Sequence, residues 1–490
     1  MKNNLIKILL IVLLLPISWS CDDYLDIDPY YAQDADNFFN APEDYERALI
    51  GAYDLLQTSW MNLWIGEIAT ANSIAGGESP FDTEGLHNID AMQHGGANNE
   101  LRNVWRWNYA GVTRANYLLE FKDKIEFEGK DEIIAQARFL RAYYYFQLVK
   151  YFGDVPLVVD QRLGFEEVRS IARTPASEVY TQIEADLQAA ADVLDWTNPE
   201  KGRVTKGAAL ALLGKVYLYQ DKFSEAATTL DQVIDDGPYG LFDDYATMFR
   251  VENEDTEENV FSIQFTGLEG GSYDCFVCLE GNPAVGFHTV RGYEGPIYVE
   301  GNSYNLPTQD LVDAFEAGDP RLPIAILDIE AFAAENDGVS YLEGGGGHTG
   351  YFNNKYIKRE DELGANDTDL TSPVNYRVIR YADVLLMAAE AHAKKSNPDE
   401  TKATNYLNQV RDRVDLGAVN PTGQALLDAI YQERRVELAG EGLHFWDLVR
   451  TGRAADEIDG FVVGRHEVFP IPQDEIDLAG GNWEQNNDYN

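Results

Sequence analysis

Apolar residues recur along this chain at every third or fourth position over long stretches, which is the spacing of amphipathic helices. The clearest unit runs from Lys206 to Tyr239 and reads KGAALALLGKVYLYQDKFSEAATTLDQVIDDGPY. Leu210, Leu213, Gly214 and Tyr217 share one face of a first helix. Ala226, Leu230 and Val233 share one face of a second, and Pro238 ends it. A second unit, RYADVLLMAAEAHAKKSNPDETKATNYLNQVRDR, offers Ala388 and Ala391 as small contacts and repeats the 4-then-3 spacing at Ala403, Leu407 and Val410. Two further pairs are expected: Leu101–Glu120 with a neighbour, and Glu132–Tyr151 with Ala176–Leu194.

The order in the first unit is a bulky residue, Leu-Gly, an aromatic, then Ala and Pro, which is the tetratricopeptide pattern. Small residues let two helices approach, and larger ones fill the groove between them. The spacing therefore predicts a mainly α protein. Its helical scaffold covers about 35–60, 100–240 and 376–455. A loop-rich lobe, about 60–98 and 255–375, carries GGSYDCFVC, GYEGPIYVEGN and LEGGGGHTGYFNN, where Gly, Asn and aromatics replace the helical pattern.

The first residues change the expected compartment. Lys2 and Lys7 precede an apolar run, Ile8–Leu15, and then Pro16. That run is too short to span a bilayer, which needs roughly 20 residues, and has the layout of a secretory signal. Ser20 is followed at once by Cys21, Asp22, Asp23 and Tyr24. We read 1–20 as a lipoprotein signal and Cys21 as the lipidated first residue of a domain covering 21–490. Ordinary signal-peptidase cleavage is the alternative. Either way the chain is expected to fold outside the cytoplasm, in an oxidising setting.

Charge narrows the partners. Against 83 Asp and Glu stand 38 Lys and Arg, a formal net charge of −45. Nucleic acid is excluded, because its affinity rests on Lys and Arg at phosphates. A neutral ligand is the simpler expectation. Hydrophobic content of 45% supports a large core. Cys275 and Cys278 form a CxxC without a second such pair or clustered His, so a local disulfide pinning a loop is expected, with two idle thiols as the alternative.

Catalytic constellations are sparse. Glu433, Glu437 and Glu441 lie at i, i+4 and i+8 and could serve a surface glycosidase. Arg434, Arg435, Asp447 and Arg450 beside them favour a helix held by ion pairs. His87 and His94 lack an acidic third ligand, and neither HExxH nor GxSxG is present. The GGGG run at 344–347 lacks the Lys-Ser/Thr of a phosphate loop. No cofactor is expected. The acidic pairs Asp235-Asp236 and Asp243-Asp244 leave a structural calcium as the one metal to consider. Aromatic loop residues remain. Trp60, Asn62 and Trp64 in SWMNLWIGE, with Tyr273, Phe276, Tyr293 and Tyr298, are the candidate ligand-binding residues. Flat rings cover the apolar faces of sugars while amides and carboxylates bond hydroxyls. Core packing is the competing reading of the same rings.

Taken together the motifs resemble the SusD/RagB family, the nutrient-binding surface lipoproteins of Bacteroidetes. The resemblance runs through CDDYLDIDP, ARFLRAYYYFQLVKYFGDVPLV, the 206–239 unit, LPTQDLVDAFEAGDPR, RYADVLLMAAEA, ERRVELAGEGLHFWDLVR and FPIPQDEI. His444 stands where the family usually has Arg, and the closing WEQNNDY departs from the usual QNPGY. The resemblance implies a tetratricopeptide scaffold, a ligand-binding lobe and no catalysis. It implies an outer membrane protein that sits over a SusC-like TonB-dependent transporter and hands it oligosaccharide, or in some members peptide. Asp22 and Asp23 fit the acids that accompany export to the outer face in these bacteria. A neutral glycan of the laminarin type, a β-glucan, is the ligand expected here.

Overall fold

The structure is a computed structural model and describes residues 38–269, 271–364 and 369–489. The signal segment and Cys21 lie outside the described residues.

The first helices are α1 (Pro42–Asp54), α2 (Met61–Ile68), α3 (Asn99–Glu120), α4 (Lys130–Phe152), α5 (Ala176–Val193), α6 (Lys206–Leu218) and α7 (Phe223–Asp236). Later come α8 (Tyr381–Lys394), α9 (Glu400–Asp412), α10 (Gln424–Glu437) and α11 (His444–Arg450). Helices α3 to α9 pack each against the next in chain order, and α10 lies on α8. Local chemistry sets their starts. The Asn98 side chain accepts from the Glu100 and Leu101 amides, and Thr205 Oγ1 accepts from the Ala208 amide.

In the pair α6–α7, Leu210, Leu213, Ala226, Leu230 and Val233 are all buried, as the spacing predicts. A Cβ on Gly214 would lie 2.5 Å from Leu230 Cγ, so only glycine admits this approach. Leu101–Glu120 finds its neighbour in α4. Helix α4 is enclosed by α1, α3, α5 and α6, and its buried residues point in all directions, among them Phe139, Tyr143, Tyr144, Phe146 and Tyr151. The tyrosine hydroxyls reach polar partners: Tyr144 donates to Ala52 O at 2.6 Å and Tyr151 to Asn62 Oδ1 at 2.8 Å. Buried Arg141 makes two hydrogen bonds of 2.8 Å to Asp186, tying α4 to α5.

Strands are few and short. β1 (Ser73–Gly76), β2 (Asn259–Ile263), β3 (Tyr304–Pro307), β4 (Ile326–Asp328), β5 (Tyr351–Asn353) and β6 (Tyr376–Arg380) form three antiparallel pairs: β1 with β3, β2 with β6, and β4 with β5. β6 runs directly into α8, which joins the loop-rich region to the scaffold. That region has its own small core of Val290, Tyr293, Tyr298, Leu306, Leu327, Ile329, Phe352 and Ile357. Among the described residues no helix is long and apolar enough to cross a membrane.

Candidate functional site

Three stretches lie side by side, and two of them, 76–77 and 344–347, are glycine runs. β1 pairs with β3, and Gly77 N–H continues the ladder to Ser303 O at 2.7 Å. On the opposite edge the 344–347 run lies against the same backbone. Gly345 N–H donates to Glu78 O at 2.8 Å and Gly346 N–H to Gly77 O at 3.2 Å. A Cβ at Gly344 would sit 2.3 Å from Gly77 O, and one at Gly346 would sit 2.1 Å from Gly76 O. The run is thus a backbone-on-backbone contact, which is what four glycines permit.

This footing carries a loop, 77–83, whose tip is Phe81, 84% exposed. Two side-chain contacts add to this hold. Asp82 accepts from the buried Tyr304 hydroxyl, and Glu78 pairs with Arg291 at 3.1 Å. From Tyr304 a wall of rings leads away. Its centroid is 4.9 Å from that of Trp64 and 6.0 Å from that of Phe287. Phe287 lies 5.7 Å from Trp60 and 6.2 Å from Phe276. Phe276 lies 6.2 Å from Tyr273, which is 53% exposed. Cys275 and Cys278 are joined by a disulfide that brackets the half-buried Phe276. The aromatic wall therefore ends in the exposed ring of Tyr273 on one side. On the other it ends at Tyr304, whose hydroxyl bonds Asp82, next to the exposed Phe81. Asp274, Glu78 and Glu84 are exposed carboxylates in the same loops or next to them. Such a surface offers flat apolar faces flanked by hydrogen-bond acceptors, the complement of a sugar chain.

The structure corrects most of the expected binding residues. Trp60 and Trp64 are 4% and 3% exposed and tilt against each other at 6.0 Å inside the wall. Trp60 closes the turn before helix α2 and Trp64 lies within it; every residue of α2 is buried, so the indoles pack instead of facing ligand. Asn62 is buried and occupied by the Tyr151 hydroxyl. Tyr293 and Tyr298 are buried 6.1 Å apart in the small core, with their hydroxyls on Pro296 O and Asn354 Oδ1. Of that set, Tyr273 is exposed and Phe276 half-buried. Phe81 was not singled out by the sequence. Its signal is a lone ring between Pro80 and Asp82 in a turn-rich stretch.

The Glu433–Glu441 series is embedded in an ion-pair network. Arg321 reaches Glu433 at 2.5 Å and Glu437 at 2.9 Å. Arg380 reaches Glu437 at 2.5 Å, Glu441 at 2.9 Å and Glu258 at 2.8 Å. Arg413 also pairs with Glu437, and Lys355 with Glu441 at 2.7 Å. Burial pushes the Glu437 carboxyl up, but Arg413, Arg380, Arg321 and Lys355 outweigh it and hold it well below the usual range. Burial raises Glu433 despite its arginines. These side chains are no more than 3% exposed, so they are structural ties. His94 is buried against Phe469 with its Nε2 on the Tyr489 hydroxyl at 2.9 Å. Among the described residues no three His, Cys, Asp or Glu side chains gather as metal ligands.

Comparison with known proteins agrees with this architecture. Residues 335–467 match the family described as "SusD family", and residues 23–218 match one described as "Starch-binding associating with outer membrane". A solved structure titled "Laminarin binding SusD-like protein" is 33% identical, covers 91% of this chain and 99% of its own, and superposes with a TM-score of 0.84. Surface glycan-binding protein A from Bacteroides thetaiotaomicron, in complex with laminarihexaose, is 25% identical over 91% of this chain and 99% of its own, with a TM-score of 0.80. SusD-like protein P2 of Formosa agariphila is 27% identical over 96% of this chain and 97% of that protein. With a relative of that identity matched almost end to end, and with the helix pairs and loop lobe described above, the chain belongs to the SusD family.

Proposed function

We propose that this protein is a cell-surface glycan-binding lipoprotein that acts without catalysis and without a cofactor. Lipid on Cys21 holds it at the outer face of the outer membrane. Its loop lobe captures a neutral glycan, a laminarin-type β-glucan, and delivers it to a SusC-like TonB-dependent transporter. The observation that carries this reading is the aromatic wall that ends in exposed Tyr273, with exposed Phe81 on the loop that Asp82 ties to Tyr304 at its other end, amid carboxylates that accept hydroxyl hydrogen bonds. Laminarin in the titles of two similar structures supports the choice of probe. The test is calorimetric titration with laminarin. Wild-type protein is expected to bind. Tyr273→Ala and Phe81→Ala are each expected to weaken binding by about fivefold, since stacking on one ring is worth on the order of 1 kcal/mol. Unchanged affinity in both variants removes this face as the site. Bound peptide in native mass spectra of the purified complex, with no glycan binding, overturns the glycan reading.

A further inference from the structure

Away from the exposed rings, two recesses meet on the scaffold side of the molecule. One, of about 360 Å³, is walled by Trp196, Tyr239 and the chain before and along β2. The other, of about 350 Å³, lies between α1 and the continuation of β2 and ends at Gln57 and Glu280. Both are bordered by Lys201, Gly202, Arg203 and Ser262, so they lie side by side along one trough-like face, with the 201–203 segment between them. Each is of ligand-site size, for which the range is roughly 300–1,000 Å³.

Three observations say what suits it. Its far end touches the site already described. Gln57 Nε2 donates to Glu280 Oε2 at 3.1 Å, and Glu280 O accepts from Thr266 N at 2.8 Å, closing the base of the segment that carries Tyr273 and Phe276. Its lining alternates rings with polar groups. Trp196 has Lys206 Nζ over its ring at 5.6 Å, and the Tyr53 ring follows beneath Arg203 at 5.4 Å. Its cations are already matched: Lys201 pairs with Asp255, and Arg203 with Glu46 and with Glu200 at 2.9 Å. A trough with neutralised charge and spaced rings suits a neutral chain rich in hydroxyls and does not call for an anion.

We infer that this trough is a second contact zone for the same glycan chain, which leaves the Phe81–Tyr273 face and continues along the scaffold. The inference rests on the glycan reading above, and it makes the protein a reader of chain length. A hexasaccharide is held at the rings alone, while a polysaccharide also lies in the trough.

The test titrates purified full-length protein with laminarin and with laminarihexaose. Trp196→Ala is expected to weaken laminarin binding by about three- to tenfold and to leave the hexasaccharide within about twofold of wild type. Ile50→Asp changes a trough residue that is 53% exposed, so folding is not at stake, and is expected to act in the same direction. Tyr273→Ala weakens both ligands. Wild-type laminarin affinity in both trough variants overturns the inference while leaving the ring site standing. Equal loss of laminarin and hexasaccharide in Ile50→Asp overturns it as well. A wild-type protein that binds neither probe removes the glycan reading and the trough with it.

Discussion

The helix pair α6–α7 and the junction beneath the loop lobe are both buried, yet different forces hold them. In the pair the contact is apolar: Gly214 admits Leu230, and Ala226 and Val233 close the remainder. In the junction Glu433, Glu437 and Glu441 meet Arg321, Lys355, Arg380 and Arg413, drawn from four other segments. Apolar burial is non-directional and blind to protonation. A buried ion pair is directional, and a partner left alone keeps its whole desolvation cost. The α6–α7 pair is thus assembled by contacts that tolerate adjustment, whereas the lobe is fixed to the scaffold by contacts that accept one geometry.

The sharpest way to break that contrast is Glu437→Gln. It strands guanidinium groups in the interior, and about 3–5 kcal/mol of stability is expected to be lost in chemical denaturation. Acid acts by the same route. Because the folded state holds this carboxyl below its ordinary range, its contribution is present at neutral pH and is lost as pH falls through the depressed value. Leu230→Ala, in the helix pair, is expected to cost roughly 3 kcal/mol by leaving a cavity, with the same cost at neutral and mildly acidic pH. A pH-dependent cost there would erase the distinction.

Glu67 sharpens the contrast from the other direction. It is buried, accepts from Gly442 N at 2.8 Å and from Asn72 Nδ2 at 3.2 Å, and burial raises its carboxyl to about 7. For this group stability is present below the ordinary carboxyl value and is lost as pH rises through about 7. Glu67→Gln removes that slope. The stability difference between wild type and variant is expected to change by on the order of 3 kcal/mol between acidic and mildly alkaline pH. A constant difference would show that the carboxyl does not titrate in this window. The smallest effect is expected at the disulfide. Cys275→Ser with Cys278→Ser frees the turn that presents Phe276, and laminarin affinity is expected to fall about twofold to fivefold through lost preorganisation, with the melting temperature unchanged. A larger fall in melting temperature than in affinity would assign the bond to stability.

The helix pairs were legible because their contacts are local. Ala226, Leu230 and Val233 repeat at helical spacing within one short segment, and their partner Gly214 lies just upstream. The acids Glu433, Glu437 and Glu441 were also legible as an ion-paired face. Their partners were not, because Arg321, Lys355 and Arg380 come from distant loops and strands whose convergence no spacing reveals. The aromatic loop residues fared worst for the same reason. Whether Trp64 faces solvent depends on Phe287 and Tyr304 arriving from far along the chain. Tyr273 stayed exposed while Phe276 and Leu279 beside it turned inward, and Phe81 is isolated between turn residues, where no pattern marks a ring as functional.

The four-glycine run has an evolutionary consequence. It grips the base of the 77–83 loop through main-chain atoms, so the grip makes no demand on the side chain at the tip. Position 81 is free to exchange one ring for another, or for none, while its foothold stays intact. In such an arrangement the side chain at the loop tip can change one residue at a time without reopening the question of how the protein folds.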